Sequence, residues 1–402
     1  MAKLEFESLS FEEENDFVRV SLLKIFYFQI PKIDLNKIGD FVLSANSIDF
    51  RDVSMKKAGN KFNMLIQKHI PGLKNKITGR KTVYVHQNSG IPLIGSNYFG
   101  IVDRGTSLIE IKPVNGCNLN CIYCSVDEGR ESKTRLVDFV VEKDYLVAEL
   151  RKVVDFKCAD SLEIHIAGQS EPLLYDDVVP LVKEISQIRE VKVVSMDTNG
   201  TLLTKKLVDK LIKAGLTRFH MSINSLDPEL ATKIAGAQYN ISHVKKMAEY
   251  IVKKAEVIIT PIWIEGVNDK EIPKLVEFAD KIKADIGIQN FLRYKHGRNP
   301  AKQMEWSGFY DKLKALEKRF NVKLIKSEED FNIIKTKELP KPLKKDESVK
   351  VKIVAEGRLR DEKIAVYDNK VISVFNCSEA VNETVKVRIL RTKHNIFVGK
   401  KE

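Results

Sequence analysis

Three of the five cysteines in this chain lie close together, at the spacing C-x3-C-x2-C. They are Cys117, Cys121 and Cys124. Three thiolates on one short loop can ligate three irons of a four-iron cluster and leave the fourth iron open to a small chelating ligand. The spacing alone also allows a zinc site that lacks a nearby fourth ligand, or reduced thiols that bind no metal.

The segments that must position these cysteines alternate between strand and helix patterns. Six strands are predicted, and polar or glycine-containing sequence follows each one. They span residues 107–113, 162–167, 191–197, 218–224, 256–263 and 286–292. Repeated strand and helix units with short connections predict parallel strands with right-handed crossovers, and six units favour an incomplete barrel. A doubly wound open sheet also fits, because periodicity does not show whether a sheet curls.

Local signals predict where two of the helices begin and end. Gly215 is expected to end the helix after the third strand. Asp227 can cap the helix after the fourth strand, and Pro228 fits its first turn.

Polar side chains share one face of the fourth predicted strand. His220, Ser222 and Asn224 alternate with apolar residues, and the apolar face should meet the helices. The polar face is then directed into the barrel, where polar groups need water, one another or a ligand. The same argument places Glu163 and His165 inside, where a histidine can also be an ordinary core residue.

The cysteine segment resembles the cluster loop of the radical S-adenosylmethionine (SAM) superfamily, including the aromatic Tyr123 before the last cysteine. In that family the methionyl amine and carboxylate of SAM chelate the open iron. One electron from the reduced 4Fe-4S cluster then splits SAM into methionine and a 5'-deoxyadenosyl radical, which abstracts hydrogen from an unreactive carbon. The resemblance covers residues 108–298 and implies that Cys117, Cys121 and Cys124 are the metal ligands.

Other segments resemble the SAM-binding motifs of the family, in the order that its barrel requires. Residues 167–172 are similar to the glycine-glycine-glutamate motif, although Ser170 stands in place of a glycine. Alone, this segment would predict an ordinary strand-to-helix turn, as would Thr198-Asn199-Gly200. The resemblance assigns eleven residues to SAM binding: Tyr123, Gly168, Gln169, Ser170, Glu171, Thr198, Asn199, Ser222, Asn224, Ile264 and Phe291.

Polar residues predicted on or near the barrel interior are candidates for substrate contact. They are Glu163, His165, His220, Gln289 and Arg293.

The chain is predicted to have four parts. These are an N-terminal extension (1–104), a partial (β/α)6 radical SAM barrel with its trailing helix (105–325), a linker (326–345) and a small all-β barrel (346–402). Five short strands are predicted in the last part, at 349–355, 363–367, 370–375, 384–390 and 395–398. They resemble a TRAM domain, the small RNA-binding barrel of several RNA-modifying enzymes, which makes Lys350, Lys352, Arg388 and Lys393 candidates for RNA binding.

Charge and cysteine count narrow the function. The formal net charge of +12 attracts phosphate, although abundant lysine and glutamate also occurs in proteins from hot environments. The basic stretch at 56–81 is either a solvated face or an anion-binding surface. Cys158 and Cys377 cannot bind a second cluster by themselves, which disfavours a methylthiotransferase, and Cys377 is expected to be a buried strand cysteine.

The sequence carries no secretory signal pattern, and the apolar stretch at 20–30 is too short to cross a bilayer, so we expect a cytoplasmic protein without membrane contact. The leading hypothesis is a radical SAM enzyme that modifies RNA, with tRNA as substrate and a ferredoxin or flavodoxin as electron donor. One alternative is the same radical chemistry on a peptide or small metabolite. Another is an RNA-binding protein with a structural or redox-sensing cluster.

Overall fold

The structure is a computed structural model and describes residues 2–402. The N-terminal region is rich in antiparallel strands, which the sequence analysis did not resolve. Its strands are Ala2–Glu5, Leu9–Glu14, Phe17–Leu22, Phe26–Pro31, Phe41–Leu43, Ser47–Phe50, Lys74–Asn75 and Lys81–Val85, and its helices are Lys32–Asn36 and Met55–His69. The strand Lys81–Val85 pairs in parallel with Val137–Val141, which follows the cysteine loop. Backbone hydrogen bonds therefore join the N-terminal region to the segment that follows the cysteines.

The central region is a mixed α/β half-barrel, as predicted. Its six parallel strands are Leu108–Lys112, Leu162–Ile166, Val191–Thr198, Arg218–Met221, Glu256–Ile259 and Asp285–Ile286, with Gly100–Asp103 antiparallel at one edge. The strands lie side by side in chain order. A doubly wound sheet would reverse its order at a switch point, so this alternative is excluded. We number these strands one to six.

Helices cover the outer face of the half-barrel. They are Lys143–Lys157, Val178–Ser186, Lys205–Ala214, Pro228–Ala235, Ile241–Ile251, Glu271–Ile282 and Trp306–Phe320. Both predicted helix signals are confirmed. Gly215 follows its helix with a left-handed φ of 111°, and the Asp227 side chain accepts a hydrogen bond from Leu230 N at 2.8 Å.

The predicted fifth and sixth strands are interrupted. The fifth was expected to run through 256–263, but it stops at Ile259 and a short strand resumes at Ile262–Trp263. The break lies at Pro261, which has no N–H to donate to a neighbouring strand. The sixth is likewise divided, into Asp285–Ile286 and Gln289–Asn290, and the two resumed segments pair with each other.

The C-terminal region is the predicted closed barrel of five strands. The strands are Ser348–Glu356, Glu362–Tyr367, Lys370–Phe375, Thr384–Arg391 and Val398–Lys401. The prediction for the last strand, 395–398, was wrong. His394 and Asn395 have φ of 60° and 54°, and such left-handed residues cannot extend a strand. Cys377 is buried, as expected.

The predicted linker packs against the half-barrel. Lys157 and Asp103 form a buried ion pair at 2.7 Å, and Lys157 also donates to the Thr336 hydroxyl. Further along, Leu339 is buried and its N–H donates to Asp103. The linker that leads into the C-terminal barrel is therefore fixed to the central region, although the predicted domain boundaries stay predictions.

None of the helices in residues 2–402 combines the length and apolar character needed to span a bilayer.

Candidate active site

The three cysteines of the loop line one cavity of about 220 Å³ at the C-terminal ends of the barrel strands. Backbone hydrogen bonds fix this loop to the end of the helix that follows strand four. Asn120 N donates to the Ala235 carbonyl at 2.9 Å, and Ile122 N donates to the Ile234 carbonyl at 3.0 Å. The thiols are thus presented together on a loop whose backbone is tied to the barrel.

Backbone N–H groups point at two of the sulfurs. Leu119 N lies 3.4 Å from Cys117 Sγ, and Glu128 N lies 3.1 Å from Cys124 Sγ. Burial raises the pKa of all three thiols, and that of Cys121 to about 12. Bound metal ions must therefore supply the positive charge that keeps these thiols deprotonated. Three sulfurs with N–H support fit a 4Fe-4S cluster that has one open iron.

Glu171, the acidic residue of the predicted glycine-rich motif, ties strand three to the cysteine loop. Its carboxylate accepts hydrogen bonds from the Thr198 hydroxyl at 2.8 Å and from Asn199 N at 2.7 Å. Its own N–H donates to the Gly116 carbonyl at 3.0 Å. Burial raises the pKa of Glu171 to about 7, although these donors oppose the shift. The motif thus brings two strand ends and the loop to one place.

Ser170, the departure from the family motif, lies beside Gly168 in the cavity wall. A Cβ atom at Gly168 would come within 2.5 Å of the Ser170 hydroxyl oxygen, so a larger residue there would push this hydroxyl into another rotamer. That hydroxyl is buried and has no hydrogen-bond partner within residues 2–402. An unpaired polar atom in a cavity wall is expected to bind a ligand or water. The segment therefore fits the polar methionyl end of SAM.

Asn199 joins strand three to the cysteine loop a second time. Its amide donates to Asn118 Oδ1 at 3.0 Å, and Asn118 in turn donates to the Thr201 hydroxyl at 2.8 Å. The Thr201 hydroxyl then donates back to Asn199 Oδ1 at 2.6 Å. This closed ring of hydrogen bonds holds Asn199 in the cavity wall.

The segment that follows strand four contributes Ser222 and Asn224, which were predicted to contact SAM. Ser222 lines the cavity. Asn224 donates to the Tyr123 hydroxyl at 2.8 Å and accepts from Ile262 N at 2.8 Å. The structure therefore gives the Asn224 side chain a supporting contact with Tyr123, the aromatic residue of the cysteine loop.

The predicted apolar contacts lie behind the cavity wall. Ile264 and Phe291 are buried in a small cluster with Ile234, and Tyr123 packs against it. Ile262 lines the cavity instead, which the sequence analysis did not foresee. No local signal separates Ile262 from Ile264, because the two residues have the same parity and the strand is interrupted at Pro261.

Two histidines lie together in the barrel interior, as predicted. The rings of His165 and His220 are 4.9 Å apart. Asp197 Oδ1 lies between them, 3.3 Å from His165 Nε2 and 3.4 Å from His220 Nδ1. The sequence analysis missed Asp197, although it is in register beside His220 in the sheet.

A hydrogen-bonded chain continues from His165 toward the strand beginnings. Ser195 Oγ lies 2.8 Å from His165 Nδ1 and donates to Glu163 at 2.5 Å. Arg218 neutralises Glu163 through a contact of 2.8 Å. Glu163 thus supports the histidines and does not line the cofactor cavity.

The remaining candidates are spread over the surface. Gln289 is exposed and lines a different cavity, and Arg293 is exposed in the following loop. Neither borders the cysteine cavity. Four basic residues lie on or beside the C-terminal barrel. Lys350 and Lys352 are on its first strand, Arg388 is on its fourth, and Lys393 is in the turn before its last strand.

Residues 111–279 match the family model described as the radical SAM superfamily. A protein of Methanocaldococcus jannaschii described as uncharacterised is 42% identical over 358 residues, which are 81% of this chain and 82% of that protein. The chain belongs to the radical SAM superfamily. The predicted membership is confirmed, and with it the 4Fe-4S cluster, SAM and the need for an electron donor.

Two further comparisons give lower sequence identities. A probable GTP 3',8-cyclase of the same organism is 31% identical over 54% of this chain and 66% of the relative's length. The match thus covers somewhat less than two thirds of that relative. The crystal structure of Streptococcus suis SuiB bound to S-adenosylmethionine has a TM-score of 0.42 and 16% identity, over 80% of this chain and 70% of SuiB.

Proposed function

We propose that this radical SAM enzyme modifies RNA and that tRNA is the substrate. Cys117, Cys121 and Cys124 would hold the cluster, and residues 168–171 with Ser222 would surround SAM. When bound, the cluster and SAM supply a radical that can activate an unreactive C–H bond. The other parts of the chain would bind the RNA and present one nucleotide to the cavity.

The outer face of the C-terminal barrel supports RNA binding. Lys350 and Lys352 alternate with buried residues on one strand, so their side chains point outward. Lys350 lies directly opposite Lys386 of the neighbouring strand, and Arg388 follows on the same face. Within residues 2–402 no carboxylate lies within ion-pair distance of Lys350 or Lys352. Lys386 pairs with Glu402 and Arg388 with Asp346, so Lys350 and Lys352 are the charges of this face that a phosphate backbone would neutralise.

Arg358 carries the proposal, because it connects this basic barrel to the cofactor cavity. It lies between the first two strands of the barrel and is fully buried. Its guanidinium donates to Gln169 at 3.2 Å and forms an ion pair with Glu128. Gln169 belongs to the SAM-binding segment, and Glu128 N donates to Cys124 Sγ. RNA held by the barrel would therefore lie on a part of the protein that is fixed to the active site.

The similarity to a probable GTP 3',8-cyclase favours a second candidate, in which the substrate is a free nucleotide. The name of the relative states that it acts on GTP. The two candidates share the cofactors and differ in what must be added for turnover. In the second, the C-terminal barrel would serve another role.

The experiment that separates them measures 5'-deoxyadenosine formed by the anaerobically reconstituted enzyme with SAM and dithionite. The reaction is run alone, with tRNA transcribed in vitro, and with GTP. Stimulation by tRNA together with a mass change in a tRNA nucleoside supports the proposal. Stimulation by GTP alone favours the second candidate. Slow cleavage that neither addition changes would contradict both.

A further inference from the structure

Asp197 presents an open carboxylate oxygen to the cofactor cavity. It lies at the end of strand three, its side chain is 44% exposed, and it lines the same cavity as the three cysteines. Both histidine contacts use Oδ1. Within residues 2–402, Oδ2 has no hydrogen-bond partner. This oxygen is therefore open to a ligand that fills the cavity.

The two histidines keep this carboxylate ionised. Burial alone would raise the pKa of Asp197, but the charge and hydrogen bonds of His165 and the hydrogen bond from His220 lower it. Burial would also lower the pKa of His165, but Asp197 raises it. The Asp197 carboxylate and the charged form of His165 thus stabilise each other.

The other charged groups of the barrel interior are already paired. On strand one, Lys112 lies 3.4 Å from Glu110. Near the strand beginnings, Arg218 pairs with Glu163. No cation other than the histidines lies within ion-pair distance of Asp197 in residues 2–402. Its negative charge therefore remains available to a ligand.

Space for a ligand also exists beside His220, one of the two histidines that contact Asp197. A second cavity of about 430 Å³ is lined by His220 and Thr260, each two residues before a residue of the first cavity. His220 thus borders the second cavity and contacts Asp197, which borders the first. The exposed aromatic rings of Trp306 and Tyr310 border the second cavity. A planar group in the second cavity would thus lie next to His220, which contacts Asp197.

We propose that Asp197 determines substrate specificity by accepting a hydrogen bond from an N–H or O–H group of the substrate. On a nucleotide, such donors are the amino and imino groups of the base and the ribose hydroxyls. An ionised carboxylate accepts hydrogen bonds and cannot donate one, so it rejects a phosphate or a carbonyl at this position. The choice of a nucleotide donor rests on the proposed function.

The test is the substitution D197N, which keeps the size of the side chain and removes the charge. The matched control is D209N, because Asp209 lies on the outer surface and pairs with Lys254. The rate of 5'-deoxyadenosine formation is measured as a function of the concentration of unmodified tRNA and, separately, of GTP. The KM for SAM is also measured. For the ligand that stimulates the wild type, we expect D197N to raise the half-saturating concentration by about tenfold or more. D209N should leave every constant unchanged.

Several outcomes would overturn this assignment. One is an unchanged half-saturating concentration in D197N. Another is a rise in the KM for SAM that equals or exceeds the rise for the substrate, since Asp197 would then contact the cofactor. If GTP alone stimulates, the RNA proposal fails while D197N still tests Asp197 with GTP. If neither ligand stimulates the wild type, both proposals fail.

A second variant covers the case in which D197N does not fold or does not retain its cluster. H165Q keeps an amide donor near Asp197 but removes the imidazolium charge, so the carboxylate is held less firmly. We expect a smaller rise in the half-saturating concentration, of about threefold. A normal value in H165Q, with a cluster absorbance equal to that of the wild type, would overturn the proposal.

Discussion

Arg358 of the C-terminal barrel donates a hydrogen bond to Gln169 of the proposed SAM-binding segment, at 3.2 Å. The same guanidinium pairs with Glu128 and lies 3.5 Å from Asp138. Removing the barrel would leave these two buried carboxylates with the guanidinium of Arg80, at 3.6 Å from Glu128 and 3.5 Å from Asp138. Deleting residues 349–402 would therefore disturb the cofactor cavity as well as any RNA-binding surface, and point substitutions are the cleaner test.

Arg358→Gln should destabilise the protein strongly. The variant leaves Glu128 with its longer contact of 3.6 Å to Arg80, and breaking a buried ion pair costs about 3 to 5 kcal/mol. Guanidinium denaturation of the apoprotein would measure this loss, and the KM for SAM should rise because Gln169 loses its partner. Arg360→Gln is the control, since Arg360 is exposed two residues away. Equal stability of the two variants would show that the contact with Gln169 and Glu128 is unimportant.

Glu271 holds the turn after strand four and thereby the helix that supports the cysteine loop. Its carboxylate accepts hydrogen bonds from Leu226 N at 2.7 Å, Ser225 Oγ at 2.9 Å and Asp227 N at 3.1 Å. Burial alone would raise the pKa of Glu271, but Lys274 and these donors lower it to about 2. Glu271→Gln should cost about 1.5 to 3 kcal/mol at pH 7, because each charged hydrogen bond becomes a neutral one.

The effect of Glu271→Gln should depend on pH. A lowered folded pKa stabilises the protein above the unfolded pKa of about 4.3, and this stability is lost as the pH falls toward 2. The thermal midpoints of wild type and variant should therefore converge below about pH 4.3. Glu277→Gln on the same helix is the control, because Glu277 is exposed and its contact with Arg319 is long, at 4.0 Å. A difference that persists unchanged at low pH would contradict this role for Glu271.

The sequence predicted the half-barrel well because each strand and helix has its own local signal. Alternation located strand four, and Asp227 and Gly215 marked helix ends that the structure confirms. Local signals failed where the backbone departs from regular structure. Pro261 interrupts strand five, and the left-handed His394 displaces the last strand of the small barrel.

Contacts between distant segments were beyond the sequence patterns. Arg358 lies 189 residues from Gln169, and nothing in its neighbourhood marks it as a buried cation of the active site. Asp197 is an ordinary strand residue until the register places it between His165 and His220. Positions near the cysteines were predictable because the family motif fixes their order along the chain.

Cys121→Ala should abolish the cluster and with it the cleavage of SAM, because two thiolates on this loop cannot hold four irons. The cluster absorbance measures the loss of the cluster, and 5'-deoxyadenosine formation measures the loss of SAM cleavage. Cys158→Ala is the control and should retain both, since Cys158 is exposed and outside the cavity. Substantial cleavage by the Cys121 variant would refute the assignment of the metal ligands.

Reversing charge on the outer face of the small barrel should weaken RNA binding. Each lysine that contacts phosphate releases counterions, so K350E with K352E should lower tRNA affinity by at least about tenfold and reduce the salt slope by about 2. The matched variant is K206E with K210E, on the exposed face of the helix Lys205–Ala214. Both pairs change the net charge equally, so nonspecific attraction would weaken equally in both. Filter binding at several salt concentrations distinguishes the cases, and an equal loss in the two variants would remove the support that this face gives to an RNA substrate.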